Sequence, residues 1–275
     1  MKTAISNIAW NVADDAWVAD LMLEMGVVGV EIAPTKIWPK PLLASAAELL
    51  EYRRFWEQRG IRIVAMQSLL FGRADLQVFE DQAKRDEMLQ YLEAIMALAS
   101  TLGAGPLVFG SPKNRKVGSR PRVEADAIAI DFFRRAGEAA IKHSVTLCIE
   151  PNPPQYECDY VTCAQQGLDL VRAVDHPGFR LHLDAAGMTL AGDPLEASLR
   201  AATGSMCHFH VSEPSLGPIG QGGVKHAVLA DQLRQLGYAH WTSVEMRFNP
   251  ERDLRTELPR VLQLLQTVYG TPAKT

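Results

Sequence analysis

Short apolar runs alternate with amphipathic helical stretches along the whole chain, a pattern that predicts βα units and a parallel sheet. The runs that read as strands are Ala4–Asn7, Val28–Ile32, Ile61–Gln67, Pro106–Gly110, Thr146–Glu150, Arg180–Asp184, Cys207–Ser212 and Thr242–Met246. Each is followed by a stretch of helical periodicity: Asp15–Met25, Ser45–Arg59, Asp81–Leu102, Glu124–His143, Thr162–Val174, Leu195–Ala202, Val224–Leu236 and Leu254–Val268. Gly26, Gly60, Gly103 and Gly237 fall between a helix and the next strand, where a glycine suits the helix C-terminal cap. Eight such units, with no Pro/Ser linker between halves, favour a closed (β/α)8 barrel of the TIM type over an open sheet. The expected fold class is α/β, one domain over residues 1–270 with 271–275 as a frayed tail. The loops after strands four and seven read as the longest, which makes Lys113–Arg122 and Glu213–Gly223 the expected rim.

Size and composition agree. The chain has 275 residues, 47% hydrophobic and 22% charged, ordinary for a globular enzyme and enough for one such barrel. Its net charge of −4 comes without a block of like charges, so no nucleic-acid partner is expected. Ser6 and Asn7 interrupt the N-terminal apolar run and Asp14-Asp15 follow it, unlike an export signal. No apolar stretch approaches the ~20 residues of a membrane span. The four cysteines lack CxxC spacing, and two sit inside strands as small core residues. A cytoplasmic, reduced protein is expected.

In such barrels the chemistry sits at the C-terminal ends of the strands. Strands five to eight end in CIEPN, HLDAAG, HFHVSE and SVEMRF, delivering Glu150, Asp184, His210 and Glu245 from neighbouring strands. A lone Glu at a strand end is usually a solvated loop residue, and a lone His in a strand is usually a satisfied core histidine. Four on consecutive strand ends point instead to one divalent metal ion. Three carboxylates and an imidazole form a hard, oxygen-rich set that suits Mn²⁺ first, with Mg²⁺ or Co²⁺ as alternatives. Without a cation the carboxylates would repel one another and hold protons.

Residues two apart on a strand share a face. His182 and His208 therefore point with Asp184 and His210, as a lower layer that contacts substrate, supports the ligands or is purely structural. Arg247 shares the face of Glu245 and is a candidate to bind a substrate oxygen. Glu213 is a candidate to orient a ligand, cap a loop or touch substrate. Glu31, Asn7 and Trp10 lie at strand ends as wall or packing residues.

With these motifs the sequence resembles the xylose isomerase-like barrel superfamily, in particular its sugar-phosphate isomerase/epimerase branch and the ketose 3-epimerases. The most specific pieces are IEPNP at Ile149–Pro153, HLD at His182–Asp184, HVSE at His210–Glu213 and GYAHWTSVE at Gly237–Glu245. The resemblance implies that Glu150, Asp184, His210 and Glu245 bind the metal, and that Glu150 and Glu245 flank the substrate carbon as acid and base. It also implies a small-molecule sugar substrate, and a homo-oligomer is common in such families. Proton removal beside a carbonyl builds charge on oxygen that a divalent cation stabilises as an enediolate. Two carboxylates on opposite faces invert a stereocentre, and a shuttle along one face isomerises an aldose and a ketose.

Two features depart from the epimerase pattern. Gly187 stands where many members place a substrate-binding His, and the loop after strand seven, PSLGPIG, lacks a familiar arginine. A substrate shaped differently from a plain ketose is expected, with Lys113, Arg115 and Arg247 as candidates to contact it; for Lys113 and Arg115 a solvated rim is the simpler reading. A lyase of the inosose-dehydratase type would use the same carboxylates to expel a β-hydroxyl. A nuclease of the endonuclease IV type needs extra histidines where this chain reads VAMQSLL, LVFGSP and DAAG. A non-catalytic accessory barrel would leave an intact ligand set without a use.

Overall fold

The computed structural model describes residues 1–270; the expected tail, 271–275, lies outside them. Eight parallel strands close into one barrel in chain order, so that β1 pairs with both β2 and β8. They are β1 Lys2–Ser6, β2 Gly29–Ile32, β3 Arg62–Met66, β4 Pro106–Phe109, β5 Thr146–Ile149, β6 Phe179–Asp184, β7 Met206–Ser212 and β8 Trp241–Glu245. The α-helices are α1 Asp15–Glu24, α2 Pro34–Ile37, α3 Ala46–Glu57, α4 Gln82–Leu102, α5 Arg122–Lys142, α6 Ala164–Val174, α7 Ala185–Ala191, α8 Leu195–Ala202, α9 His226–Gln235 and α10 Leu254–Tyr269. Every expected strand and helix is present, with ends shifted by a few residues. Among the described residues no helix is long and apolar enough to cross a membrane.

Local chemistry sets the helix ends. Ser45 and Glu48 form a reciprocal capping box at the start of α3. Gly103 closes α4 at φ 84°, and Gly26, Gly60 and Gly237 adopt the same left-handed conformation. The alanine-rich inner face of α5, with Phe132 and Phe133, lets that helix sit close on the sheet; Phe133 stacks on Phe179 of β6 with ring centroids 4.6 Å apart. The four cysteines are free, with Cys148 buried in β5 and Cys207 half-buried in β7.

Two local features differ from the sequence expectation. The connections 67–81 after β3 and 150–163 after β5 are longer than those after β4 and β7. In the first, Leu69, Leu70, Leu76, Val78 and Phe79 are buried, so this is packed chain rather than solvated rim. The second is α7, a helix starting directly at the end of β6. Asp184 caps it by accepting the Gly187 N–H at 2.5 Å.

Register places the chemistry in layers. Asp184 of β6 lies opposite His210 of β7, and His182 lies opposite His208 one layer down. Ser212 of β7 lies opposite Glu245 of β8, and Ser6 of β1 opposite Glu31 of β2.

Candidate metal centre

Glu150, Asp184, His210 and Glu245 each place one donor atom within 4.8 Å of the others. His210 Nδ1 lies 3.4 Å from Glu245 Oε2 and 3.7 Å from Glu150 Oε1. Three of the four ligand candidates are each held by a separate contact. Asn152, from the IEPNP turn, donates its Nδ2–H to Glu150 Oε2 at 3.2 Å. Ser212 Oγ donates to Asp184 Oδ2 and accepts the Ala186 N–H at 3.0 Å. Glu31, fully buried on β2, sits against His210 Nε2 at 3.0 and 3.1 Å through its two oxygens.

The electrostatics follow from this packing. Burial, with the neighbouring charges of Glu150 and Glu245, pushes Asp184 up to about 7. Burial raises Glu245 as well, against the pull of His210. Burial would also raise Glu150, but His182 and His210 outweigh it and hold that carboxyl below its ordinary range. Burial opposes charge on His210, yet Glu31 and Glu245 hold it well above an ordinary histidine. His210 Nδ1 has no hydrogen-bond partner and faces three carboxylates that cannot all ionise freely together. A hard divalent cation fits this donor set, since it would satisfy the nitrogen and neutralise the repulsion.

The remaining candidates divide. His182 and His208 are fully buried beneath the carboxylates and do not line the cavity. His182 Nε2 is 3.5 Å from Glu150 Oε1, and burial lowers its pKa to about 3, so it is neutral. His208 Nε2 is 3.4 Å from Glu31 Oε1. Glu213 is also turned from the cavity: its carboxylate accepts the N–H groups of Gly220 and Val224 and meets His226 Nε2 at 3.2 Å, tying the β7 loop to α9. Lys113 is exposed outside the cavity wall. Arg115 is not on a solvated rim. It is fully buried, and its guanidinium donates to the carbonyls of Glu150 at 2.7 Å, Tyr160 at 3.1 Å and Phe109 at 3.2 Å. Asn7 accepts the Ala33 N–H and Trp10 donates to Asp15, both as packing residues. Arg247 does line the cavity.

That cavity, about 520 Å³, opens above Glu150, Asp184 and Glu245. Its walls include Phe71 from the β3 loop, Gly110 after β4, Tyr156 after β5 and Leu216 after β7. Sequence reasoning did not single these out. Only Gly110, a glycine at a strand end, carried a local signal.

The model of the family described as xylose isomerase-like TIM barrel matches residues 19–264. The chain belongs to that family. One curated relative of this xylose isomerase-like barrel is the L-ribulose 3-epimerase of Mesorhizobium japonicum, 27% identical over 169 residues, which are 60% of this chain and 56% of that protein. The chain thus matches little more than half the length of that relative. The crystal structure of D-psicose 3-epimerase with D-tagatose from Clostridium cellulolyticum H10 superposes with a TM-score of 0.82 at 18% identity, covering 98% of this chain and 100% of the other. The apo 3-keto-D-glucoside 4-epimerase of E. coli gives 0.80 at 19% identity, covering 97% and 99%. At these identities the superpositions show a shared fold. Within the xylose isomerase-like barrel, Gly187 has a local reason: a β-carbon there would stand 3.1 Å from Asp184 Oδ1 and 3.4 Å from the Pro151 carbonyl. The first turn of α7 is drawn onto Asp184, where a histidine would crowd it.

Proposed function

We propose that this protein is a divalent-metal-dependent epimerase or isomerase of a sugar or sugar derivative, with Glu150 and Glu245 moving the proton. One observation carries the reading: two carboxylates approach His210 Nδ1, at 3.7 and 3.4 Å, and both line a cavity of small-molecule size. The epimerases among its relatives and structural neighbours support a ketose or keto-sugar as the reacting class.

Glu150, Asp184, His210 and Glu245 would hold the cation, with Mn²⁺ first among hard divalent ions. The bound ion would supply Lewis-acid stabilisation of the negative charge that develops on substrate oxygen. Glu150, kept ionised by the imidazoles beneath it, takes the proton from carbon. Glu245, which lines the same cavity, returns a proton to that carbon. Asn152 holds the Glu150 carboxylate, and Gly110 leaves room for it.

The test is incubation in heavy water with Mn²⁺ and a panel including L-ribulose, D-psicose, D-tagatose and a 3-keto-glucoside. Deuterium should enter the carbon beside the carbonyl, and Glu150→Gln and Glu245→Gln should abolish its entry. Loss of water from the substrate by mass would replace this reading with a lyase. No exchange across the panel in metal-loaded protein would count against both.

A further inference from the structure

Glu31 is a fully buried carboxylate inside the barrel, and among the described residues no lysine or arginine forms an ion pair with it. Such a group is unfavourable unless N–H donors surround it. His210 does so: its Nε2 lies 3.0 and 3.1 Å from the two oxygens, while His208 Nε2 stands nearby at 3.4 Å from Oε1 without a hydrogen bond. His210 Nε2 must therefore present a hydrogen to Glu31.

That requirement has a consequence at the other side of the His210 ring. With a hydrogen on Nε2, the neutral ring keeps its lone pair on Nδ1, and Nδ1 is the atom that faces Glu150 and Glu245 without a hydrogen-bond partner. Turning the ring over would set carbon atoms against Glu31 and against the carboxylates above. His182 packs edge-on against the ring, centroids 4.1 Å apart at 72°, and restricts that motion. We propose that Glu31 is a positioning residue: it takes the Nε2–H of His210 and so commits Nδ1 to the cation. This rests on the reading that Glu150, Asp184, His210 and Glu245 bind a divalent ion. A carboxylate behind a ligating imidazole fixes its tautomer and raises its donor strength.

The experiment is Mn²⁺ titration, followed by the EPR signal of the free ion, on wild-type protein and Glu31→Gln. Glutamine keeps the shape but removes the charge, and its amide nitrogen can turn towards Nε2. Mn²⁺ binding is expected to weaken about 10- to 100-fold, while the melting temperature of the metal-free protein stays level or rises. A wild type that binds one Mn²⁺ with a variant that binds it within twofold overturns the proposal alone. A wild type that binds none overturns the metal reading, and the proposal with it. Should the variant fail to fold, nitrogen-15 histidine spectra of the Zn²⁺-loaded wild type decide the matter. His210, assigned by comparison with His182→Gln and His208→Gln, should carry its hydrogen on Nε2. A hydrogen on Nδ1 overturns the proposal.

Discussion

A β-carbon built on Gly110 would fall on Oε2 of Glu150 and stand 3.1 Å from its Cδ. The carboxylate lies against the backbone at the end of β4, and it can do so because residue 110 has no side chain. Asn152 holds the same oxygen from the other side. Gly110→Ala should therefore move the Glu150 carboxylate while leaving the barrel intact, because the obstructing atoms are the end of a flexible side chain. A displacement on the order of an ångström costs about a hundredfold in rate, so solvent-deuterium exchange should fall by about that factor with little change in melting temperature. Retention of more than a third of wild-type exchange would refute this arrangement.

Metal binding should depend on pH with a definite sign. In the metal-free protein Asp184 is pushed up to about 7, first by burial and then by Glu150 and Glu245, and His210 is held well above its usual range by carboxylates. A cation must displace both protons where both are bound. The logarithm of the Mn²⁺ association constant should then rise about two units per pH unit below ~7, and about one above it. The effect on metal-free stability has the opposite sign. A carboxyl whose folded pKa is raised favours the folded state below its unfolded value and loses that contribution as pH rises through ~7. The melting temperature of metal-loaded protein minus that of chelated protein should therefore widen from pH 6 to pH 8. A flat difference would contradict the charge assignment at Asp184.

Arg115 should matter to stability more than its place beside the rim suggests. It is fully buried, and its three hydrogen bonds to carbonyls join the ends of β4 and β5 to the turn carrying Tyr160. The planar guanidinium spans these acceptors, and a lysine ammonium cannot reach all three. Arg115→Lys should destabilise the protein by about 2–4 kcal/mol, read from urea unfolding with unchanged slope. Deuterium exchange should fall as well, because the strongest of the three bonds, 2.7 Å, anchors the Glu150 carbonyl.

The barrel was legible because its signal is repeated: eight apolar runs, each followed by a helical period, leave few other folds. The four ligand candidates were legible because each lies within two residues of the C-terminal end of a strand, and those ends converge in this fold. Contacts across the barrel were not. Glu31 and His210 are 179 positions apart, and nothing in the local pattern of β2 distinguishes a carboxylate aimed at β7 from one aimed at solvent. Arg115 was misplaced for a related reason, whereas Glu213 does cap its loop, one of the roles expected for it. Charge in a loop reads as solvated, yet here Arg115 satisfies three carbonyls. The helix α7 was missed because it is short and follows β6 without a loop.

Arg247 is the remaining basic group on the cavity wall, and its backbone and side chain have separable duties. The N–H of Arg247 donates to the Leu216 carbonyl at 2.9 Å. That bond helps hold Ser215 and Leu216 at φ 61° and 57°, a left-handed pair that a leucine adopts only at a cost. Tyr156 steadies the same turn by accepting the Ser215 N–H at 3.2 Å. Arg247→Ala keeps the backbone bond and so should keep the turn, removing only the guanidinium. The expected result is a KM raised about tenfold with kcat within about threefold, the signature of lost binding that does not change between ground and transition states. Mn²⁺ affinity should be unchanged, since no hydrogen bond or ion pair joins the arginine side chain to a ligand candidate. A fall in kcat at constant KM would instead place the guanidinium against the charge that develops during proton transfer.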